Sequence, residues 1–310
     1  MRPMLATPGA SAGSGRVPTG PGWVHEIKWD GIRLLAQVDR TALRLTTRTE
    51  RDVTVAFPEL AGLVDVADDV LLDGELVALV DGAPSFSHLV ERVHTVSPRK
   101  AGALASARPA TYLVFDLLRV DGLDLTALPW SRRRAALEEL LPEGPHWQLS
   151  PTYDDGPELL AATAEQGLEG IVSKDAKAPY HPGVRSRAWL KFPHRSTATW
   201  VVGGWRPESG RSRLGSVLVG QPVAGGLSYR GRVGSGLAGR AGRELADRLA
   251  RAAVGDCPFV DDVPRVDRQG TTWVRPEVVI EVASLEVTAG ARLRQPAYQR
   301  CRPDLMVKDV

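Results

Sequence analysis

The chain has 310 residues, of which 43% are hydrophobic and 25% charged, so a folded protein of about two domains is expected and a disordered chain is excluded. No run of about 18 apolar residues occurs and the N-terminus lacks an apolar core, which argues against a membrane span and a secretory signal. Only two cysteines are present, which is too few for a disulfide framework. A reducing, cytoplasmic location is therefore predicted.

The net charge of +2 conceals two oppositely charged parts. Residues 1–180 carry 18 Lys and Arg against 25 Asp and Glu, whereas residues 181–310 carry 21 against 12. A basic C-terminal part can attract a polyanion, although uneven charge also arises without function. Only six of the 39 basic residues are lysines, so each lysine is a candidate for chemistry that arginine cannot perform.

The N-terminal part is predicted to be α+β and rich in strands. A loose loop is expected over 6–20. Strands are expected over 24–31, 32–38, 43–49, 70–80 with a turn at 81–82, 112–120, 170–174 and 188–192. Helices are expected over 131–141, capped by Ser131, and from Asp155 to Gly167.

Beyond Thr199 the pattern changes to short strands with a single helix over 240–253. Strands are expected over 198–207, 215–222, 225–234 and 271–288. Several short strands with one helix, in about 110 residues, are typical of a small β-barrel of the OB type. We therefore expect two domains, at 1–195 and 200–310.

Charged side chains concentrate on the predicted strands. Residues two apart in a strand share a face, so Glu26, Lys28 and Asp30 point together. Taken alone, this pattern also fits a solvated strand face. The combination of carboxylates and isolated lysines recurs on later strands, at Asp73, Glu75, Glu169, Lys174 and Lys191. Together they indicate a site that holds a metal and a phosphate group.

Six motifs, in this order, resemble those of the covalent nucleotidyltransferases, which comprise ATP-dependent DNA ligases, RNA ligases and capping enzymes. The motifs are K-x-D-G at 28–31, T-R at 47–48, D-G-E at 73–75, an aromatic strand at 112–116, E-G-x-x-x-K at 169–174 and W-L-K at 189–191. The segments 2–6, 203–205 and 302–304 make the chain similar to the small bacterial ATP-dependent DNA ligases of the C and D types. The resemblance implies an adenylation domain, an OB-fold domain and an ATP-dependent DNA ligase active in repair.

The resemblance implies a reaction in which Lys28 is adenylated by ATP. Lys174 and Lys191 would contact the α-phosphate, and Arg302 and Asp304 would help to orient pyrophosphate. Only a neutral amine attacks phosphorus, and ordinary lysine has a pKa of about 10.4. Cations are therefore expected beside the nucleophile, supplied by Lys191 and a bound Mg²⁺ or Mn²⁺.

Further contacts with ATP follow from the same resemblance. Glu26 would read the adenine edge and Phe115 would stack on the base, although a plain core role for Phe115 stays open. Glu75 would contact the ribose and Glu169 would bind the metal. Nucleotide or nick 5′-phosphate contacts are implied for Arg33 and Arg48.

Nicked or gapped duplex DNA is the expected partner, because basic side chains give sequence-independent, salt-sensitive phosphate binding. Besides Arg33 and Arg48, the DNA contacts are predicted for Arg206, Arg211, Arg213, Arg230 and Arg232. For single arginines, a merely solubilising role is the alternative. A monomer without membrane contact is expected, working beside separate repair polymerases or primases, nucleases or end-joining proteins.

Two positions depart from the family pattern. Pro193 stands where many relatives have a second lysine, and Leu305 follows Arg302-Pro-Asp304 where a lysine is usual, with Lys308 three residues on. Both departures bear on the efficiency of self-adenylation. Three alternatives stay open: an RNA ligase, a capping-type enzyme that uses GTP, and a non-catalytic module that binds nicks.

Overall fold

The chain divides into two units, Met1–His194 and Arg195–Val310. The computed structural model describes residues 1–12, 15–80, 83–208, 213–285, 287–288 and 290–310, so the turn predicted at 81–82 lies outside the described residues. None of the helices in these ranges is both long and apolar enough to cross a membrane.

The first unit consists mainly of strands, as predicted. Its strands are β1 Leu5–Pro8, β2 Trp23–Ile27, β3 Ile32–Asp39, β4 Ala42–Thr47, β5 Asp69–Val77, β6 Leu79–Val80, β7 Ala83–Pro84, β8 Thr111–Val120, β9 Leu123–Asp124, β10 Trp147–Leu149, β11 Thr152–Tyr153, β12 Gly170–Asp175 and β13 Arg185–Pro193. Its α-helices are α1 Phe86–Val93, α2 Pro98–Ala107, α3 Trp130–Leu140 and α4 Gly156–Glu165.

Two sheets of this unit carry its predicted strands, except that the end of the strand predicted over 70–80 is β6, which pairs with β7 in a separate two-stranded sheet. The first has the order β1-β13-β12-β2-β11, and the second has β10-β8-β5-β3-β4, with β9 beside β8. The strands predicted over 32–38 and 43–49 form an antiparallel hairpin, β3 and β4, whose residues pair from Leu34–Thr47 to Asp39–Ala42. An apolar cluster that includes Leu35 and Phe115 from the second sheet and Trp189 from the first fills the space between the sheets. The charged residues of the site lie around this cluster.

The N-terminal loop predicted over 6–20 is partly wrong. Residues Leu5–Pro8 form β1, which pairs in parallel with β13, and a 3₁₀ turn follows over Gly9–Ser11. The partner of this strand lies about 180 residues away, so local composition gives no sign of it. Helices α1 and α2 were likewise not predicted.

Helix α4 begins as predicted, because the Asp155 carboxylate accepts a hydrogen bond from the Glu158 N–H at 2.8 Å. The cap predicted for α3 is wrong. The helix starts at Trp130 after Pro129, so Ser131 lies inside its first turn. Buried α3 residues face the second sheet, and α4 packs against the outer side of the first.

Two positions in the motifs require glycine because neighbouring backbone atoms pack closely against them. A Cβ on Gly31 would lie 2.2 Å from the Leu76 carbonyl oxygen, and one on Gly170 would lie 2.1 Å from the Phe192 oxygen. Gly170 also has a φ of +132°, which side chains disfavour. Its carbonyl accepts the Lys28 N–H at 2.8 Å. These glycines therefore allow the backbone to approach closely where Lys28 leaves the sheet.

The second unit is built on one sheet, with helices α5 Gly239–Arg251 and α6 Arg265–Arg268. Its strands are β14 Ser196–Pro207, β15 Leu214–Val223, β16 Gly226–Val233, β17 Ala253–Val254, β18 Thr272–Val274, β19 Val279–Ser284 and β20 Ala297–Cys301. The order is β16-β15-β14-β18-β17, with β19 between β14 and β20. The single strand predicted over 271–288 is two strands, because Pro276 interrupts it.

Candidate active site

Lys28 lies one residue past the end of β2, at one edge of the space between the two sheets of the first unit. Its Nζ lies 2.5 Å from a carboxylate oxygen of Glu169, and the two side chains are 23% and 9% exposed. A cation was expected beside Lys28, but its ion-pair partner is this carboxylate. Lys28 must therefore leave Glu169 and lose a proton before it can act as a nucleophile.

Register places two predicted site residues, Glu26 and Lys191, in one row across the first sheet. Val172 of β12 pairs with Glu26 on one side and with Lys191 on the other. Directly opposed residues of neighbouring strands share a face. Glu26 and Lys191 therefore flank Val172 on a single face, two residues from the Lys28 end of the sheet.

Lys174 lies deeper on that face and is buried. Its Nζ lies 2.6 Å from Oε1 of Glu26, and both side chains are nearly inaccessible to solvent. The Nζ also lies 4.2 Å from the ring centre of Phe115 and 4.5 Å from that of Trp189. Burial raises the pKa of Glu26 and lowers that of Lys174. To reach a phosphate group, Lys174 must leave both Glu26 and the two rings.

Arg33 of β3 is held by a network of buried groups. Its guanidinium donates two hydrogen bonds to the Asp73 carboxylate, at 2.5 and 2.7 Å. The Tyr180 hydroxyl donates to the same carboxylate at 2.6 Å and accepts the Met4 N–H at 2.9 Å. The neighbouring Asp73 raises the pKa of Arg33. The network thus fixes the guanidinium and ties the N-terminal segment to the site.

Phe115 is 7% exposed and belongs to the cluster between the sheets. The Arg33 guanidinium carbon lies 4.5 Å from its ring centre, and the Trp189 ring meets it edge to face at 6.0 Å. With the Lys174 amine at 4.2 Å, two cations contact one aromatic ring. Both cations therefore make cation–π contacts with this ring.

Glu75 lies close enough to Lys28, Arg33 and Glu169 for their charges to act on it. Burial, reinforced by Glu169, raises the pKa of Glu75 to about 7 despite the two cations. This carboxyl group therefore changes charge near neutral pH, which is characteristic of functional sites.

The carboxylates of Glu75 and Glu169 suit Mg²⁺, which binds one or two carboxylates and completes its octahedron with water and substrate phosphates. Within the described ranges, no group of three or more His, Cys, Asp or Glu side chains converges as a complete protein cage. The residues present therefore fit a metal that arrives with a phosphate ligand.

Arg302 and Asp304 lie together in the second unit. The Arg302 guanidinium donates to both Asp304 oxygens, the shortest contact being 2.7 Å, and lowers the pKa of Asp304 to about 2. Glu281 of β19 lies 3.3 Å from Arg302 and 2.9 Å from Arg300. Glu281 and Arg302 also line a cavity of about 390 Å³. The pair predicted from the C-terminal motif is thus part of a four-residue charge cluster.

The arginines predicted to contact DNA differ in their surroundings. Arg48 lies one residue past β4 and is exposed, and Arg211 lies outside the described residues. The others have local partners: Arg206 donates to the Val266 carbonyl, Arg213 pairs with Glu208, Arg230 donates to Gln221, and Arg232 pairs with Asp267. A phosphate must compete with these partners.

Three residues that contact motif side chains carry no motif signal themselves: Tyr180 contacts Asp73, Glu281 contacts Arg302 and Arg133 contacts Asp116. Tyr180 lies in the connection between β12 and β13, and Glu281 lies in an ordinary strand. Arg133 lies in a run of three arginines, yet it is fully buried and pairs with Asp116 at 2.7 Å. Only Arg133 could have been anticipated, because a carboxylate in the middle of an apolar strand requires a buried cation.

The buried Lys174–Glu26 pair predicts that removal of one partner lowers the free energy of unfolding. We expect Lys174→Met to lower the free energy of unfolding by about 3–5 kcal/mol, because it leaves a carboxylate buried without its cation. The double variant with Glu26→Gln should recover most of that loss. Denaturant unfolding measures both, with Arg240→Ala of the exposed pair Arg240–Glu244 as control. Wild-type stability in Lys174→Met would contradict the pairing.

Glu75 predicts a pH-dependent stability difference. Its folded-state pKa of about 7 exceeds the ordinary 4.5, so the folded state binds the proton more tightly than the unfolded chain. Its contribution to stability is complete below pH 4.5 and is lost as the pH rises through 7. Glu75→Gln should therefore gain stability relative to the wild type between pH 4.5 and 7, measured by urea unfolding across that range. A difference independent of pH would refute the shifted pKa.

Comparison with known proteins agrees with the predicted family. The ATP dependent DNA ligase domain model matches residues 3–192, and the ATP dependent DNA ligase C terminal region model matches residues 210–305. The multifunctional non-homologous end joining DNA repair protein LigD of Mycobacterium tuberculosis is 38% identical over 315 residues. That alignment covers 100% of this chain but 39% of LigD. DNA ligase C2 of Mycolicibacterium smegmatis is 38% identical over 207 residues, covering 64% of this chain and 58% of that protein.

A solved structure described as mycobacterial DNA ligase D complexed with ATP and MES is 35% identical, with a TM-score of 0.54, and the match covers 100% of this chain and 97% of that one. The ligase domain of Mycobacterium tuberculosis LigD matches at 35% identity and a TM-score of 0.53. The predicted fold class, an adenylation domain followed by an OB-fold domain, is confirmed. The chain belongs to the ATP-dependent DNA ligases, within the covalent nucleotidyltransferase superfamily.

Proposed function

We propose that this chain seals 5′-phosphate/3′-hydroxyl nicks in duplex DNA through a covalent lysyl-AMP intermediate on Lys28. Family membership supports the use of ATP. The observation that carries the proposal is the position of the Lys28 amine, partly exposed and 2.5 Å from Glu169, beside the carboxyl group of Glu75. We take residues 1–195 as the adenylation domain and 200–310 as the OB-fold domain.

In the first step, the neutral Lys28 amine attacks the α-phosphorus of ATP. A P–N bond forms, the bond to the β-phosphate oxygen breaks, pyrophosphate leaves, and the amine proton passes to solvent. Such transfers depend mainly on positioning and on cations at the phosphate oxygens. Lys191, two residues along the face from the reactive edge, is the cation best placed for the α-phosphate.

The buried residues are the candidates to bind the adenine end of the nucleotide. Phe115 offers an aromatic ring that Arg33 and Lys174 hold in place. Glu26 offers a carboxylate for the base edge, and its pairing with Lys174 fixes the position of that carboxylate. Lys174 is therefore proposed mainly to hold Glu26 and Phe115 in position. It can contact the α-phosphate only if it leaves Glu26.

Glu169 and Glu75 are the residues that would hold Mg²⁺ or Mn²⁺, which supplies electrostatic stabilisation of phosphate charge when bound. Glu75 is also the candidate for the ribose hydroxyls. Arg302 and Asp304 are proposed to help orient pyrophosphate during self-adenylation. In that role, the phosphates replace Glu281 as the anionic partner of Arg302.

In the second step, a 5′-phosphate oxygen at the nick attacks the lysyl-AMP phosphorus and the amine of Lys28 leaves. In the third, the 3′-hydroxyl attacks that 5′-phosphate, the phosphodiester forms and AMP leaves. Arg33 and Arg48 are proposed at the nick phosphate, with Arg206, Arg211, Arg213, Arg230 and Arg232 along the duplex.

A repair role follows from the similarity to LigD, named for non-homologous end joining. Because the chain spans 39% of LigD, we propose that polymerase, primase and nuclease activities come from other polypeptide segments or chains. A monomer in the bacterial cytoplasm, close to chromosomal DNA, is part of the same proposal.

Label transfer tests the function directly. The purified chain is incubated with α-³²P-labelled ATP and Mg²⁺, and then with a nicked duplex. We expect label on the protein, then on the DNA 5′ end, and finally in free AMP as the nick is sealed. Lys28→Arg should take up no label, because arginine does not lose its proton at working pH.

The control is Lys100→Arg, a change of the same kind at an exposed position in α2. It should label and seal like the wild type. Labelling from GTP alone would indicate a capping enzyme, and sealing of nicked RNA alone would indicate an RNA ligase, instead of a DNA ligase. DNA binding by a wild type that never takes up label would leave a non-catalytic nick-binding module and refute the proposal.

A further inference from the structure

Two arginines of the first unit make the same forked contact with a buried aspartate, but they differ at the third nitrogen. In Arg133, Nε and Nη2 donate to Asp116, and Nη1 donates to the Leu128 carbonyl at 2.6 Å. In Arg33, Nε and Nη2 donate to Asp73 in the same way. Among the residues that the structure describes, no acceptor contacts Nη1 of Arg33, and this side chain is 18% exposed. Arg133 is therefore a structural cation, whereas Arg33 keeps one nitrogen available to an outside anion.

Tyr180 supplies a third hydrogen bond to the carboxylate that holds Arg33. Its hydroxyl donates at 2.6 Å to Oδ2 of Asp73, the oxygen that also accepts Nη2 of Arg33. Burial raises the pKa of Tyr180, so the hydroxyl stays protonated and remains a donor. The torsion that turns an aspartate carboxylate about its Cβ–Cγ bond has no sharp preference of its own. The hydroxyl therefore fixes the plane of the Asp73 carboxylate, and this plane fixes that of the guanidinium.

The Tyr180 ring is held in place independently of its hydroxyl. It packs edge to face against Trp189, with the ring centres 5.7 Å apart, and the Arg133 guanidinium carbon lies 5.6 Å from its centre. The backbone N–H of Tyr180 donates to the Thr126 carbonyl at 2.8 Å. A phenylalanine at this position keeps all three contacts. Exchange of tyrosine for phenylalanine therefore removes only the hydroxyl and its hydrogen bonds.

We propose that Tyr180 is a positioning residue for Arg33: its hydroxyl, acting through Asp73, keeps Nη1 of Arg33 directed at the 5′-phosphate of the nick. The inference rests on the proposed function, in which Arg33 contacts that phosphate. It adds to that function a residue that lies outside the motifs.

The proposal assigns Tyr180 to the second step of the reaction. In that step an oxygen of the 5′-phosphate bonds to the AMP phosphorus as the P–N bond to Lys28 breaks, and the leaving amine takes a proton from solvent. The 5′-phosphate must be held close to the AMP phosphorus, and a cation that is already fixed in place can hold it without losing freedom of its own. Self-adenylation involves no 5′-phosphate, so it does not depend on this hydroxyl.

The test is single-turnover transfer of AMP by Tyr180→Phe. The wild type and the variant are adenylated with α-³²P-labelled ATP and Mg²⁺, freed of ATP and mixed with an excess of nicked duplex. We expect uptake of AMP without DNA to stay within about twofold of the wild type. Transfer of label to the DNA 5′ end should slow roughly 10-fold, the lower end of the effect of one lost hydrogen bond to a charged group.

Two further variants separate positioning from stability. Thr163→Val removes a buried hydroxyl of α4, which donates to the Leu160 carbonyl at 2.9 Å, and should transfer AMP like the wild type. Arg33→Lys keeps a cation but removes the fork and Nη1. In that background, Tyr180→Phe should slow transfer by less than about twofold, because the group that it positions is gone.

The possible results distinguish the inference from the proposed function. Transfer by Tyr180→Phe at the wild-type rate, or an equal slowing in the Arg33→Lys background, would overturn the inference. Equal losses of AMP uptake and of transfer in Tyr180→Phe, or an equal slowing by Thr163→Val, would also overturn it, because they indicate a purely structural role. A wild type that takes up no AMP would instead refute the proposed function.

Discussion

Buried pairs of opposite charge between the two sheets are the constraint on which the site depends. Lys174–Glu26 and Arg133–Asp116 are almost completely buried, and Asp73 is buried beneath Arg33. A buried charge without its partner costs several kcal/mol, so each pair fixes the register of the strands or the helix that carry it. Such pairs add little net stability, but they leave few alternative packings for this interior.

The contrast between this interior and its edge explains how the site can react. Lys28 and Glu169 form a pair of the same chemistry, but Lys28 is partly exposed and lies just past the end of a strand. An ion pair with access to solvent is weak and can exchange partners. Phosphate groups and a divalent cation can therefore separate Lys28 from Glu169, whereas the deeper pairs remain as the support of the site.

Sequence patterns predicted the elements better than the contacts. Alternation over 24–31 predicted β2, but the strand ends at Ile27, so Lys28 and Asp30 lie beyond it. The Asp155 cap and the β3–β4 hairpin follow from local rules. The strand Leu5–Pro8 was missed because its partner β13 lies far away in the chain. The pairing of Lys174 with Glu26 was missed for the same physical reason. Motifs identify which lysines belong to the site. Which carboxylate each lysine contacts depends on the register of three strands, which the motifs do not give.

The most direct measurement is tandem mass spectrometry of the purified chain after incubation with ATP and Mg²⁺. If a partly exposed amine at the sheet edge is the nucleophile and the buried lysine is a support, AMP is found on the peptide that contains Lys28 and on no other. AMP attached to Lys174 or Lys191, or to a residue outside the first unit, would contradict that division of roles.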